Sequence, residues 1–308
     1  MVIFHKMHSL KPIIFTNLLF IFLGSTLPLI EAKNILTIKN DESDENLSVF
    51  VSGVDEAIIT QNAKLGFRPY LHPIKSPNGK GTLTQFSPGH HKHQTGLYWG
   101  MTRVNGRDYF HNPDSKYWRR KALKVEIRTG EQVKWTTVYE MLDEDGKAQM
   151  IETQSWTMSM TNSKEIILDL EWNGHANKTI TISKYNYGGL FLRMPWKRGV
   201  RADTINSEGN KNQSGEGKSA KWVDIGMQIK NLDTDGRMTI YDHPDNDGYP
   251  NLWRIDGQFG IGPASSRQGT WSIKKGETKI FKHLLLIYSG EHDAKLIGNK
   301  WKEWSHSE

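Results

Sequence analysis

Hydrophobic and polar residues alternate with a period of two along much of the chain. The alternation is longest over residues 133–142, and it recurs over residues 156–160 and 165–172. Because successive side chains of a β-strand point to opposite faces of the sheet, this pattern predicts strands with one buried face. Helical periodicity is convincing only over residues 293–304, near the C-terminus.

Turn-forming residues separate these strands, and more strands are expected after them. The predicted turns are Asp145-Gly146, Thr161-Asn162-Ser163 and Asn173-Gly174. The further predicted strands are residues 221–230, 237–241, 269–273 and 279–288. Many antiparallel strands with almost no helix predict an all-β fold, an antiparallel two-sheet sandwich with a short C-terminal helix. No linker divides residues 33–308, so we expect one β-sandwich catalytic domain there.

The first 32 residues have the features of a secretory signal peptide. Lys6 and Lys11 precede an apolar run over residues 13–23, and small and turn-forming residues then lead to Ala32. No apolar run approaches the roughly 20 residues that a membrane-spanning helix needs. Since the chain has no cysteine, it can form neither a lipoprotein anchor nor a disulfide. We expect cleavage after Ala32 and export to the periplasm of a Gram-negative bacterium.

Composition narrows the class of ligand. The 308-residue chain has a formal net charge of +6 and an isoelectric point near 9.2. Its Lys and Arg residues are scattered and no nucleic-acid-binding motif occurs, so an acidic oligosaccharide is favoured over nucleic acid. Most of the 11 Trp, 10 Tyr and 11 Phe residues are expected in the core. A minority is expected to stack on sugar rings, and Trp99 and Trp253 are the candidates.

Two neighbouring segments, at residues 67–73 and 89–97, concentrate ionisable side chains. Arg68, Tyr70 and His72 are spaced at i, i+2 and i+4, which places them on one face of a strand. An arginine can bind a carboxylate with two hydrogen bonds, while tyrosine and histidine exchange protons. The alternative is structural: Arg68 pairs with an acid of the protein, and the other two cap the sheet edge.

His91 and His93 lie in the second segment and point to the same side if the chain is extended there. With a third ligand from another strand they would bind a divalent metal. The same pair can supply a general base with a neighbouring charge. The third alternative is two histidines that are hydrogen-bonded within a turn.

Three further segments contain candidate residues. The polar stretch at residues 241–250 contributes His243 and Tyr249, with Asp242 available to orient an imidazole, or it is only a turn-rich loop. The stretch at residues 187–194 contributes Tyr187 and Arg193 beside two glycines, which equally indicate a β-bulge. The glycine-rich residues 206–220 form either a surface insertion or a lid over the site.

These motifs resemble the PmoA-like family of secreted bacterial proteins, over most of residues 33–308. The resemblance is carried by Phe67-Arg68-Pro69-Tyr70-Leu71-His72-Pro73, His91-x-His93-Gln94-x-Gly96-Leu97, Val104-Asn105-Gly106 with Tyr109-Phe110, Tyr187-Gly188-Gly189, and Asp242-His243-Pro244 ahead of Tyr249-Pro250. The family label comes from a methane oxygenase subunit, but this chain has no set of membrane helices to match it. The chain departs from the family at His90, where an acid is usual, and at Thr95, where an arginine is usual.

The resemblance implies a β-sandwich related to sugar-processing folds. More loosely, the chain is similar to exported enzymes that make unsaturated uronic acids from polysaccharides such as ulvan. We therefore expect a lyase or dehydratase with His91 or His93 as base, Arg68 or Arg193 on the carboxylate, and one of Tyr70, Tyr187 and Tyr249 as proton donor, supported by His72 and His243. A glycoside hydrolase, a sugar epimerase and a non-catalytic glycan-binding protein are the alternatives. No cofactor is required, and a divalent metal at His91 and His93 remains an open alternative.

Overall fold

The computed structural model describes residues 1–2, 33–89, 91–161 and 164–306. Lys33–Glu308 forms one compact unit by its internal contacts. The signal peptide, its cleavage site, His90 and the turn residues Asn162 and Ser163 lie outside the described residues, apart from the first two positions. Of the helices that are described, none is both long and apolar enough to cross a membrane.

The described ranges contain nineteen β-strands. In chain order, β1 to β10 are Leu36–Asn40, Asn46–Val51, Ile59–Asn62, Tyr70–Ile74, Leu97–Gly100, Trp118–Ile127, Thr129–Gly130, Gln132–Leu142, Ala148–Thr161 and Glu165–Ala176. Strands β11 to β19 are Ile180–Ile182, Gly189–Arg193, Ala202–Asn206, Trp222–Gln228, Asp235–Asp242, Trp253–Ile255, Gly260–Pro263, Trp271–Ile273 and Thr278–Ser289. The helices are a 3-10 turn at Asn212–Gly215, the short α1 at Ser265–Gln268, and α2 at Ala294–Ser305.

The strands form two large sheets whose described pairings are antiparallel. One has nine strands in the order β16-β17-β12-β5-β4-β3-β2-β1-β7, and the other has eight in the order β13-β14-β15-β19-β10-β9-β8-β6. Strands β11 and β18 form a small separate pair. The predicted two-sheet sandwich with a short C-terminal helix is therefore confirmed.

The buried core contains residues from both large sheets, at the positions that the alternation predicts. Val133, Trp135 and Tyr139 of β8 are fully buried, as are Leu168 and Trp172 of β10. Large aromatic side chains dominate this core, so most of its stabilisation comes from removing their apolar surface from water.

One predicted turn is wrong. Asn173 and Gly174 do not end a strand, because β10 continues through them to Ala176 and pairs with β9 and β19 on either side. A side chain at position 174 would overlap the ring of Trp172. Gly174 is thus required by close packing of an indole, which produces the same residue type as a turn.

Helix α2 packs on the outer face of the eight-stranded sheet. Asp293 caps it by accepting hydrogen bonds from the backbone amides of Lys295 (3.0 Å) and Leu296 (2.9 Å). Ile297 is buried in a second apolar cluster with Trp222 and Tyr241. The predicted C-terminal helix is confirmed.

A carboxyl group is buried among the core indoles. Glu152 is 1% exposed and accepts hydrogen bonds from the Trp172 indole (2.8 Å) and the Gln154 amide (2.8 Å). Burial raises the pKa of Glu152 to about 7, and these hydrogen bonds only partly offset that rise.

We expect the stability of the Glu152→Gln variant, relative to that of the wild type, to increase as pH rises. The folded protein holds the Glu152 proton more tightly than the unfolded chain, so this group lowers stability as pH rises from about 4.5 to 7. Between pH 5 and 8 the difference in unfolding free energy between wild type and variant should shift by on the order of 2 kcal/mol towards the variant. Urea unfolding at both pH values measures the shift. The exposed Glu126→Gln is the control, and a difference that does not change with pH would contradict the prediction.

Candidate active site

The candidate site lies on the face of the nine-stranded sheet opposite the main core. Along β5, Leu97 and Trp99 join the core while Tyr98 points the other way; along β12, Phe191 likewise separates from its core neighbours. Tyr98, Phe191, Tyr70 and Phe110 form a separate aromatic cluster, which we call the aromatic floor. This floor carries the candidate site.

A cavity of about 80 Å³ lies at the aromatic floor. Its lining residues are His91, His93, Gln94, Phe110, His111, Tyr187, Phe191, Arg254 and Asp256. The volume is well below the roughly 300–1,000 Å³ of pockets that enclose a whole ligand, so a sugar would enter it by one edge.

Three imidazoles meet in this cavity. The ring centroid of His93 lies 5.8 Å from that of His91 and 4.4 Å from that of His111. Burial, together with the neighbouring groups His111, Arg68 and His91, lowers the pKa of His93 to about 3, and burial is the largest cause. His93 is therefore neutral at physiological pH and able to accept a proton.

A chain of hydrogen bonds joins a carboxylate, an imidazole and a phenol. Asp108 Oδ2 lies 2.7 Å from His111 Nδ1, and His111 Nε2 lies 3.2 Å from the hydroxyl of Tyr187. Asp108 Oδ1 also accepts from the amides of Phe110 and His111, which fixes the carboxylate. Burial raises the pKa of Tyr187, so its phenol stays protonated at neutral pH. This relay can move a proton between the phenol at the cavity and the partly exposed carboxylate of Asp108.

Arg254 supplies a cationic group at the cavity. Its guanidinium lies 5.7 Å from the ring centroid of Tyr187 and donates to Glu216 Oε1 at 2.8 Å. Glu216 also accepts from Arg267 at 2.7 Å, so two cations share one carboxylate. The positive charge left over favours binding of an anion.

The loop of residues 206–220 holds this arginine in place. Besides the Glu216 contact, the amide of Gln213 donates to the backbone carbonyls of Ile255 (3.1 Å) and Asp256 (3.0 Å). The loop is thus tied to β16 and the residue after it. Residues 211–214 of the loop are exposed, as expected of a surface insertion, while these contacts connect the loop to the site.

Two residues of the cavity, Gln94 and Asp256, have oxygen atoms that can accept hydrogen bonds from the hydroxyl groups of a ligand. Gln94 is 3% exposed, and within the described chain its Oε1 has no hydrogen-bond partner. Asp256 Oδ1 accepts from the backbone amides of Gln258 (2.8 Å) and Gly260 (2.9 Å), so this carboxylate is anchored. A buried acceptor without a partner costs free energy that a ligand donor would recover.

Arg68 lies beneath the site, and its position does not fit the predicted carboxylate clamp. It is fully buried, with its guanidinium 3.7 Å from the ring centroid of Tyr98. Its nitrogens donate to the backbone carbonyls of Phe110 (2.6 Å) and His93 (2.6 Å) and to the hydroxyl of Thr95 (3.3 Å). Arg68 therefore ties together the two segments that carry the histidines.

Tyr70 belongs to the aromatic floor, and Arg193 and His72 lie on the neighbouring strands, but none of the three lines the cavity. Arg193 is 1% exposed and donates to Gln258 Oε1 at 2.8 Å, which leaves no surface for a substrate carboxylate. Tyr70 is buried, and burial raises its pKa to about 12. His72 Nδ1 lies 2.9 Å from the Thr84 hydroxyl, and burial lowers its pKa.

His243 and Tyr249 are not brought to the cavity. His243 lines a separate groove on the eight-stranded sheet, where its ring meets that of Trp304 edge-on at 4.7 Å. Tyr249 is half-buried in the loop after β15. Asp242 accepts hydrogen bonds from Asn246 (2.7 Å) and the amide of Asn251 (2.9 Å), and so organises that loop.

The two predicted sugar platforms are core residues. Trp99 is 2% exposed and stacks on Trp172 with ring centroids 4.5 Å apart. Trp253 is fully buried and donates its indole N–H to the carbonyl of Ala220 at 2.9 Å. Neither ring can stack on a sugar, so this prediction is wrong.

Among the described residues, no three His, Asp or Glu side chains are grouped so that they could hold a metal ion. The pair His91 and His93 thus lacks a third protein ligand in that part of the chain.

Sequence reasoning missed Asp108, His111, Arg254 and Asp256. The first two flank Tyr109 and Phe110, which belong to the motif set, and the spacing Asp108-x-x-His111 was a usable signal. Arg254 lies in β16 and Asp256 directly follows it, and neither gave a signal apart from its charge.

Comparisons with known proteins give a family and distant structural similarities. A family model described as a family of unknown function (DUF6807) matches residues 44–302. No curated protein matches the chain. The earlier resemblance to PmoA-like proteins receives no support from the family description.

Several solved structures share a coarse likeness at low identity. A GH36 α-galactosidase from Geobacillus stearothermophilus is 12% identical with a TM-score of 0.37, over 83% of this chain and 41% of that one. A galactose mutarotase-related enzyme from Lactobacillus acidophilus is 10% identical with a TM-score of 0.35, over 84% and 99% of the two chains. A heparan sulfate lyase from Pedobacter heparinus is 9% identical with a TM-score of 0.36, over 80% and 34%. The chain thus spans less than half of the galactosidase and the lyase.

Proposed function

We propose that this chain, which belongs to the DUF6807 family of unknown function, is a lyase or dehydratase acting on uronic-acid-containing oligosaccharides. One observation carries the proposal. The Asp108–His111–Tyr187 relay and the neutral imidazole of His93 meet in one cavity beside Arg254. A proton acceptor, a proton donor and a cation are the three groups that elimination next to a carboxylate needs.

In the proposed reaction, His93 takes the proton from C5 of the uronate. The electron pair of the C5–H bond forms a C4=C5 double bond, and the C4–O bond breaks. Tyr187 gives its proton to the leaving oxygen. After the reaction His93 releases its proton to solvent, and the phenolate regains a proton from solvent through His111. If that oxygen belongs to a hydroxyl group, water is lost; if it belongs to a neighbouring sugar, the chain is cleaved.

A negative charge on the substrate fits the roles proposed for His93 and Arg254. A pKa of about 3 makes His93 a weak base in the empty cavity. A carboxylate bound beside it raises the pKa of the imidazole, because a nearby negative charge favours the protonated form. Arg254 stabilises the extra negative charge that the carboxylate gains in the transition state. We infer from this that carboxylated substrates react and their neutral counterparts do not.

The lining favours this reaction over hydrolysis by paired carboxylates. Among the described lining residues Asp256 is the only carboxylate, and its Oδ1 is held by two backbone amides. Glycoside hydrolysis commonly uses two carboxyl groups on opposite sides of the scissile bond.

Incubation with a panel of uronate-containing and neutral oligosaccharides tests the proposal. Expected is a rise in ultraviolet absorbance from the conjugated double bond, with mass spectrometry showing either loss of one water or chain scission without added water. Scission with added water would overturn it in favour of a hydrolase. Tight binding without any product would instead indicate a glycan-binding protein. Export to the periplasm, inferred from the N-terminal sequence, remains part of the proposal.

Arg254→Gln should lower kcat/KM for the carboxylated substrate by about 10²-fold, because it removes the charge that neutralises the carboxylate in the transition state. Steady-state kinetics measure the change. Arg267→Gln is the matched control, since Arg267 shares Glu216 but does not line the cavity. A change of less than about threefold is expected there. Equal losses in the two variants would mean that Arg254 acts only through the Glu216 ion pairs.

A further inference from the structure

A much larger cleft lies apart from the catalytic cavity. Its volume is about 1140 Å³, and none of the described residues lines both spaces. The lining comes from four loops at residues 53–56, 75–84, 195–200 and 228–231. The first three join strands of the nine-stranded sheet or follow them, and the last joins β14 to β15 of the other sheet. The cleft is thus built by both layers of the sandwich.

The lining is basic. It contains Lys75, Lys80, Lys197 and Lys230 against the acids Asp55 and Glu56, a surplus of two positive charges. Lys75 is ion-paired with Glu56. The other three lysines are exposed, and no ion pair among the described residues involves them. Three ammonium groups around one concave surface attract an anion with several charges.

The wall that carries Lys80 is rigid. Ser76 donates to Asn78 Oδ1 at 2.6 Å, and the same oxygen accepts from the amide of Lys80 at 3.0 Å. Gly81 has a φ of +63°, and a Cβ there would lie 3.1 Å from the carbonyl oxygen of Lys230. The backbones of the two lysine-bearing loops are therefore in contact, which reduces the entropy cost of holding their charges together.

We propose that this cleft binds a polyanionic glycan, with Lys80, Lys197 and Lys230 contacting carboxylate or sulfate groups spaced along the chain. The volume of about 1140 Å³ and the basic lining match a strand of several anionic sugars better than a single small ion. The proposal does not depend on the elimination chemistry, because binding here uses none of the cavity residues.

The test measures affinity of the full chain for labelled heparin oligosaccharide (sulfated and carboxylated), oligogalacturonate (carboxylated only), dextran (neutral) and double-stranded DNA. Binding of either anionic glycan that weakens as salt increases is expected, since salt screens exposed charges. The triple variant Lys80→Glu, Lys197→Glu and Lys230→Glu should weaken the affinity for the anionic glycan at least tenfold. The reason is that about three attractive charge contacts at the surface become repulsive. Which of the two glycans binds distinguishes sulfate from carboxylate recognition.

A matched triple variant controls for net charge. Lys124, Lys274 and Lys275 are exposed and lie outside the cleft, so their replacement by Glu changes the total charge equally. Their replacement should change the affinity by less than about threefold. An equal loss in both variants, DNA binding as tight as glycan binding, or equal binding of dextran would each overturn the proposal. The experiment measures binding and not turnover, so it tests the cleft even if the proposed elimination does not occur.

Discussion

Tyr187→Phe should lower kcat for the carboxylated substrate by about 10²–10⁴-fold, the range typical of removing a positioned acid or base. The variant deletes one hydroxyl and keeps the ring, which packs against Phe110 with centroids 4.8 Å apart. The lost contact to His111 Nε2, at 3.2 Å, involves a half-buried group. The free energy of unfolding should therefore change by no more than about 1 kcal/mol. Steady-state kinetics and thermal unfolding of the same preparations measure the two effects.

Tyr185→Phe is the matched control. The Tyr185 hydroxyl lies 3.5 Å from that of Tyr187, but Tyr185 does not line the cavity. Its loss should alter kcat by less than about fivefold. If Tyr187→Phe retains full activity, or if both variants lose it equally, the phenol of Tyr187 is not the proton donor.

The pH profile gives a second readout of the same assignment. A general base works above its pKa and a general acid below it. In the free enzyme the pKa of His93 is about 3 and burial raises that of Tyr187 above its usual value of about 10, so kcat/KM, which reports the free enzyme, should stay constant over a broad pH range between them. An alkaline decline in kcat/KM near neutral pH would identify a different proton donor.

Exposure accounts for some of the strands that the alternation predicted, but not for β15, which is buried along its whole length and was predicted over residues 237–241. Strand β8 has one buried face and one partly exposed face, so its alternation was readable over its whole length. Strands β5 and β12 are buried along every residue, because the core covers one face and the aromatic floor covers the other. Alternation is lost where both faces are covered: β5 was not predicted, and β12 was recognised only as an apolar strand that contains Arg193. Tyr98 of β5 and Phe191 of β12 both contribute to the aromatic floor.

The residues of the site were predictable only where each belongs to a local sequence motif. His91, His93 and Tyr187 were chosen as candidates, and all three line the cavity. The partner that connects to Tyr187, His111, is 76 residues away in sequence, and no local pattern reveals such a contact. Residue type was also misleading. Arg68, an arginine close to histidines in sequence, suggested substrate binding, but a fully buried guanidinium can equally hold backbone segments together through hydrogen bonds to their carbonyls.

Arg68→Met should lower the free energy of unfolding by about 3 kcal/mol or more. Methionine matches the length of arginine and avoids the cost of burying a charge, so part of the loss is offset. It cannot, however, donate to the carbonyls of His93, Phe110 and Tyr109, and a buried acceptor deprived of its donor costs about 1–3 kcal/mol. Burial lowers the pKa of Arg68 to about 10, so the wild-type guanidinium is charged at neutral pH and its hydrogen bonds are strong.

Two companion variants separate a structural role for Arg68 from a general effect of losing a cation. Arg119→Met removes an exposed arginine paired with Glu140 and should cost no more than about 1 kcal/mol. Arg68→Lys keeps a charge but loses the planar fork that reaches both the His93 and the Phe110 segments, so it should recover only part of the stability. Urea unfolding of the three proteins gives the comparison. If Arg68→Met is as stable as wild type and instead raises KM for the carboxylated sugar, Arg68 contacts the substrate after all, and the cavity must open further than its present walls allow.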